Sequence, residues 1–141
     1  MNRTKRTLLN TVCSLAMALT VTASAHAQSS PLSANIPFNF KLGDATFRSG
    51  KYTIQTMLNS TALLIRSVDD PKASAISLAN QAPSPAKPRS SRLVFKTYGD
   101  QYFLSTVEWS GGPYREVPRS KVEIELAKRT REPKRLEVAI K

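Results

Sequence analysis

The chain has 141 residues, with 21 basic against 10 acidic side chains and a formal net charge of +11. Its single histidine, His26, and single cysteine, Cys13, both fall within the first 27 residues. Those residues read as a secretion signal, and the chain that follows holds no Ser-His-Asp triad, no Cys-His pair and no histidine or thiolate zinc site.

Arg3, Lys5 and Arg6 make a positive start, and Leu8 to Ala23 is mostly apolar and uncharged. Ala25-His26-Ala27 fits the small-x-small processing rule, so residues 1–27 are expected to be cleaved, leaving Gln28 at the new N-terminus. The alternative is an uncleaved anchor. Asn10, Thr11, Ser14, Thr20 and Thr22 dilute a segment already short of the roughly 20 apolar residues a span needs. Cys13 follows Asn10-Thr11-Val12, not the small pair of a lipoprotein site, and reads as a small hydrophobe. Removing 27 of 141 residues leaves 114, enough for one domain with its own core and without disulfides. The expected location is periplasmic or extracellular. The signal holds three of the 21 basic residues, so the remainder carries 18 basic against 10 acidic, or +8. Such a surplus favours anionic partners: phosphates, acidic polysaccharide or an anionic membrane surface, with plain solubility as the alternative. Export makes nucleic acid an unexpected physiological partner, and no membrane span is expected in the mature form.

After an N-terminal arm at 28–34, a β-rich domain is expected over 35–132. Ile36 to Leu42 alternates strictly, the period of a half-buried strand, with Pro37 marking an edge or a strand start. Gly43-Asp44 is a two-residue turn that sets Leu42 opposite Ala45 and Phe40 opposite Phe47. Lys51 to Leu58, Ala62 to Val68 and Ala73 to Ala79 read as further strands. Asn80 to Ser91, with Pro83, Pro85 and Pro88, reads as an extended loop.

Arg92 to Tyr98 and Gln101 to Trp109 flank Gly99-Asp100, the strongest hairpin signal in the chain. Its register sets Tyr98 opposite Gln101, Lys96 opposite Phe103 and Phe95 opposite Leu104. One face then holds Leu93, Phe95, Thr97, Tyr102, Leu104 and Thr106, and reads as core. The other holds Arg92, Val94, Lys96, Tyr98, Phe103, Val107 and Trp109. Ser120 and Glu123 have capping-box spacing, which predicts a helix over 120–131 with Val122 and Leu126 one turn apart. Lys121 to Leu126 also alternates, so a strand competes. Pro133 ends this element, and 133–141 is a basic tail or a short strand. The sum is an antiparallel meander of about seven strands with one C-terminal helix, a sandwich or partly closed barrel.

Ala34 to Phe40 with Gly43, Gly50 to Ile54, Leu63 to Arg66, Leu93-Val94-Phe95, Tyr98 to Leu104 and Arg115 to Lys121 stand in an order that resembles a group of small exported proteins found widely in Acidobacteria. The resemblance covers nearly all of the mature chain. It implies export and an independent single-domain fold, and carries over no functional residue.

Two sets of residues are candidates for binding. Tyr98, Phe103 and Trp109 among Arg92 and Lys96 would stack on sugars and attract anions, unless the C-terminal helix covers that face with Val122 and Leu126. Arg115 and Arg119 would clamp an anion near the helix start, unless they pair with Glu116 and Glu123. For catalysis only carboxylates remain. Asp100, Glu108 and Glu116 fall near one hairpin, but nothing else marks a glycosidase pair. Ser120-Lys121 lacks serine-x-x-lysine spacing, Asp69-Asp70 is too little for a calcium loop, and no phosphate-cradling glycine loop is present. The expectation is therefore a noncatalytic envelope protein, binding or structural, without metal or cofactor, whose partner is an anionic glycan or lipid head group. The alternatives are a carboxylate-based glycan enzyme and a protein-partner module that offers the Ile36 to Leu42 edge for strand addition.

Overall fold

The computed structural model describes residues 31–57, 61–83, 88–112, 114–130 and 132–141. The expected signal, with Cys13 and His26, lies outside them. In chain order the strands are β1 (Leu32–Ile36), β2 (Phe40–Leu42), β3 (Ala45–Phe47), β4 (Gly50–Met57), β5 (Ala62–Ser67), β6 (Ser74–Leu78), β7 (Asn80–Ala82), β8 (Arg92–Tyr98), β9 (Gln101–Glu108) and β10 (Tyr114–Glu116). The helix α1 (Lys121–Arg129) and strand β11 (Lys134–Ala139) complete the chain. The fold is mainly β with one C-terminal helix among the described residues, and its sheets do not close into a barrel.

A four-stranded sheet runs β1-β4-β5-β6, and a second runs β11-β8-β9-β10-β7 with the β2-β3 hairpin attached to β9. Both two-residue turns set the expected registers. Phe40 faces Phe47 across Gly43-Asp44, and Tyr98 faces Gln101 across Gly99-Asp100. Gly43 and Gly99 take φ of 59° and 65°, the left-handed region that glycine enters without a Cβ penalty.

The strands outnumber the seven expected because several predicted runs are broken. Pro37 cannot donate to a ladder, so Ile36 to Leu42 is cut in two. β1 joins the first sheet, while β2 pairs β3 and also runs parallel to β9 at Lys41 and Phe103. The predicted arm is corrected in the same way, since Leu32 to Ala34 already pair with Ile54 to Tyr52. Part of the predicted proline-rich loop is strand β7, which runs on from β6 over the buried Ala79 and crosses to the second sheet. β10 was not anticipated. It completes β9 on one side and takes β7 on the other. The tail is a strand rather than loose, paired with β8 along its whole length.

The two sheets also meet along a seam. Ser33 exchanges both backbone hydrogen bonds with Lys141, and Ala34 bridges Ile140. The β1 edge is thereby occupied, and β2 has neighbours on both sides. The Ile36 to Leu42 edge expected to be open to a partner is not open.

The core fills the space between the sheets. Ile36, Ile54, Leu63 and Ile65 from one side meet Leu93, Phe95, Leu104 and Val107 from the other. Phe40 sits at the centre of an aromatic cluster, stacked on Phe47 and edge-on to Tyr52 and Phe95 at centroid distances of 5.1, 5.2 and 5.5 Å. Each such fully buried side chain contributes about 1.5–3 kcal/mol by leaving water.

Candidate functional site

The central hairpin does not present one aromatic-basic face. Between Val94 and Phe95 the register shifts: Val94 faces Thr106, but Phe95 faces Leu104, which leaves Ser105 as an extra residue on β9. An inserted residue inverts every side chain beyond it. Val107 therefore lies opposite Leu93 on the core side, and Trp109 packs partly buried against the same core. Thr106 and Glu108 turn to the outer face instead, opposite Val94 and Arg92. The predicted placement of Val107, Trp109 and Thr106 is corrected accordingly, and Trp109 does not share a face with Tyr98 and Phe103.

On that outer face the predicted residues have structural partners. Glu108 is buried and accepts from Arg92 Nε at 2.6 Å and from Arg135 Nη2 at 3.2 Å. Glu137 joins the same two arginines, closing a four-membered ionic cluster across β8, β9 and β11. Tyr98 and Phe103 are buried and meet edge-on at 5.7 Å, with Lys41 Nζ 5.5 Å from the Phe103 ring centre.

Helix α1 reaches this face, but through a polar contact. Ser120 Oγ accepts from the Glu123 backbone N–H at 3.2 Å, as the capping spacing predicts. The Glu123 carboxylate turns inward and accepts from the Tyr98 hydroxyl at 3.3 Å. Burial raises the Glu123 pKa, opposed by the Tyr98 bond and by Lys96 and Arg119. Burial, and secondly the Glu123 charge, raises the Tyr98 phenol. Val122 and Ile124 remain exposed, so the expectation that Val122 covers the aromatics is corrected, while Leu126 is half-buried. The cap sets the helix's rotation, and it presents Glu123 rather than Val122 to the sheet.

Arg115 and Arg119 stand in different environments. Arg115 lies in β10 opposite Val107 and Gln81, buried, with its Nε lacking a partner among the described residues. Arg119 is exposed near Glu123. Lys96 is half-buried and lines a narrow cleft of about 120 Å³ with Thr106, Tyr114, Glu116 and Arg135. The three carboxylates considered for catalysis also part company: Asp100 is exposed in its turn, Glu116 is exposed on β10, and Glu108 is held by arginines.

A larger concavity lies at the seam, and none of the seven predicted binding residues is among its described lining, although Arg92 is the cross-strand partner of its Ala139. It encloses about 660 Å³ between β1, the end of β11 and the β4-β5 pair. Val68, Val138, Ala34 and Ala139 give apolar wall, and Ser33 and Asn35 give a hydroxyl and an amide. Among the described residues its charged side chains are Lys51 and Lys141, both exposed. The volume lies in the range of small-molecule sites. Two cations with no acidic side chain among the described lining residues favour an anionic group, and the apolar wall favours a hydrocarbon portion. Sequence reading missed this groove because it depends on the tail pairing with β1, a contact of more than 100 residues' separation between Ser33 and Lys141.

Among the described residues no helix is long and apolar enough to cross a membrane, and no cluster of three or more His, Cys, Asp or Glu side chains is placed to hold a metal. No family model, curated protein or solved structure matches the chain.

Proposed function

We infer that this is an exported, noncatalytic binding protein of the cell envelope, and that its ligand is an anionic lipid. The acidic head group sits between Lys51 and Lys141, with Ser33 and Asn35 as hydrogen-bonding neighbours, and the adjoining hydrocarbon lies along Val68 and Val138. The observation that carries this reading is the pairing of an apolar wall with two lysines in one groove. The basic surplus of the whole chain supports it, because the same charge draws the protein to an anionic surface. Export rests on the signal-like N-terminus and on the resemblance to small exported acidobacterial proteins. The carboxylate-enzyme alternative gains nothing from Glu108, whose oxygens are committed to Arg92 and Arg135.

Co-sedimentation with vesicles tests the reading. Vesicles of phosphatidylcholine with phosphatidylglycerol are expected to bind the protein, and pure phosphatidylcholine is not. Lys51→Glu is expected to weaken binding about tenfold, since a juxtamembrane cation is worth about 1 kcal/mol and reversal removes more than one such contact. Val68→Ser is expected to weaken it as well. Vesicle binding that is indifferent to Val68→Ser but lost in Lys51→Glu overturns the hydrocarbon contact and leaves recognition of the anionic head group alone. Equal binding to both vesicle types overturns the proposal.

A further inference from the structure

We propose that the edge of β6, unpaired among the described residues, is a pairing surface for a second copy of this chain, joining two four-stranded sheets into one. The argument begins with the direction of its backbone groups. Ala79 donates to Thr61 and Ser67 donates to Ala73, so residues 73, 75, 77 and 79 are the ones that exchange hydrogen bonds with β5. The backbone groups of Ser74, Ile76 and Leu78 consequently point away from the sheet. Ser74 N–H is taken locally by Lys72, and Leu78 C=O accepts from Ser77 Oγ. The N–H and C=O of Ile76 and the N–H of Leu78 have no partner among the described residues.

The side chains of the same positions are apolar and exposed, Ile76 at 63% and Leu78 at 68%. Behind them on the same outer face lie Leu64, opposite Ile76, and Ala62, opposite Leu78, with Met57 beyond. An open strand edge is ordinarily blunted by lysine, proline or a bulge. Residues 73–79 read Ala-Ser-Ala-Ile-Ser-Leu-Ala, without a charge, a proline or a register shift. The sequence leaves this edge undefended where its backbone needs a partner.

A second copy fits because the edge is self-complementary. A two-fold axis through Ile76 sets Ile76 against Ile76 of the partner subunit and Ser74 against Leu78 of the partner subunit, which matches every outward donor to an outward acceptor. Lys72 then falls opposite Asn80 of the partner subunit, so no like charges meet. Such an isologous contact closes on itself. Growth beyond two copies along this sheet is blocked because its other edge, β1, is held by Ile140 and Lys141. The inference is independent of the groove and of its ligand.

Sedimentation equilibrium of the protein expressed with its native N-terminus tests it, over roughly 1 µM to 1 mM, the span of weak to moderate affinities. A monomer-dimer equilibrium is expected. It should tighten with added salt, which screens the repulsion between two basic chains. Ile76→Pro removes an outward N–H that β5 does not use, and Leu78→Lys places a charge on the edge. Each is expected to weaken the dimer at least tenfold. Hydrogen exchange gives a readout free of substitution, in which the Ile76 and Leu78 amides slow as concentration rises. A monomer throughout the range overturns the proposal. So does a dimer that both variants form as readily as the parent, or one that leaves those two amides unprotected.

Discussion

The hydroxyl of Tyr98 donates to Oε1 of Glu123 across 3.3 Å, tying the C-terminal helix to the second sheet through a buried carboxylate. This bond gives a helix whose Val122 and Ile124 are exposed a polar anchor on the sheet. It also makes the docking dependent on pH. Burial raises the folded pKa of Glu123 above that of the unfolded chain, near about 4.3. Between those two values the folded state binds the extra proton, so stability is fully present below the unfolded value and declines as pH rises through the folded one. Glu123→Gln keeps the acceptor oxygen and removes the charge. It is expected to melt higher than the parent at neutral pH and equally at about pH 4, a comparison made by thermal denaturation at both.

Tyr98→Phe removes the donor and leaves the carboxylate buried with one partner fewer. The expected loss is about 1–3 kcal/mol by urea denaturation, the range for a hydrogen bond to a charged or stranded buried group. The loss should shrink in a Glu123→Gln background.

Glu108 is the buried member of the four-residue ionic cluster. Glu108→Ala would leave Arg92 and Arg135 with Glu137 as their remaining partner, and their side chains, 35% and 52% exposed, can rehydrate. The expected cost is therefore about 2 kcal/mol, below the roughly 3–5 kcal/mol for breaking a wholly buried pair. Chemical denaturation of the variant against the parent measures it.

Trp109 gives a fluorescence test of the inverted face. Packed against the core beyond the Ser105 insertion, it is expected to emit at blue-shifted wavelengths and to ignore anionic vesicles or glycans, even where binding occurs. Emission that shifts red and responds to ligand would place Trp109 on a binding face.

Gly99 supplies the turn between β8 and β9 with φ of 65°, and a Cβ there would meet nothing within 4 Å. Gly99→Ala is thus expected to cost about 1–2 kcal/mol through backbone conformation alone. Gly99→Asn should cost less, since asparagine enters that region more readily. Equal losses in the two variants would show that packing, not φ, governs the site.

What the sequence by itself determined is local. The turns at Gly43-Asp44 and Gly99-Asp100 pin their hairpin registers because a tight turn leaves few alternatives, and Ser120 starts the helix because its side chain meets an otherwise unpaired N–H. What only the tertiary structure decided lies where distant strands compete for the same residue. The Ser105 insertion serves β10, as Val117 N–H bonds to the Ser105 carbonyl, and it moved Trp109 and Val107 to the other face. The pairing of Ser33 with Lys141 made the seam groove and closed the β1 edge. The crossing of β7 to β10 left β6 with one partner among the described strands. Alternation along one strand reports two faces but not which strand lies beside it, and the sites of this protein are set by those neighbours.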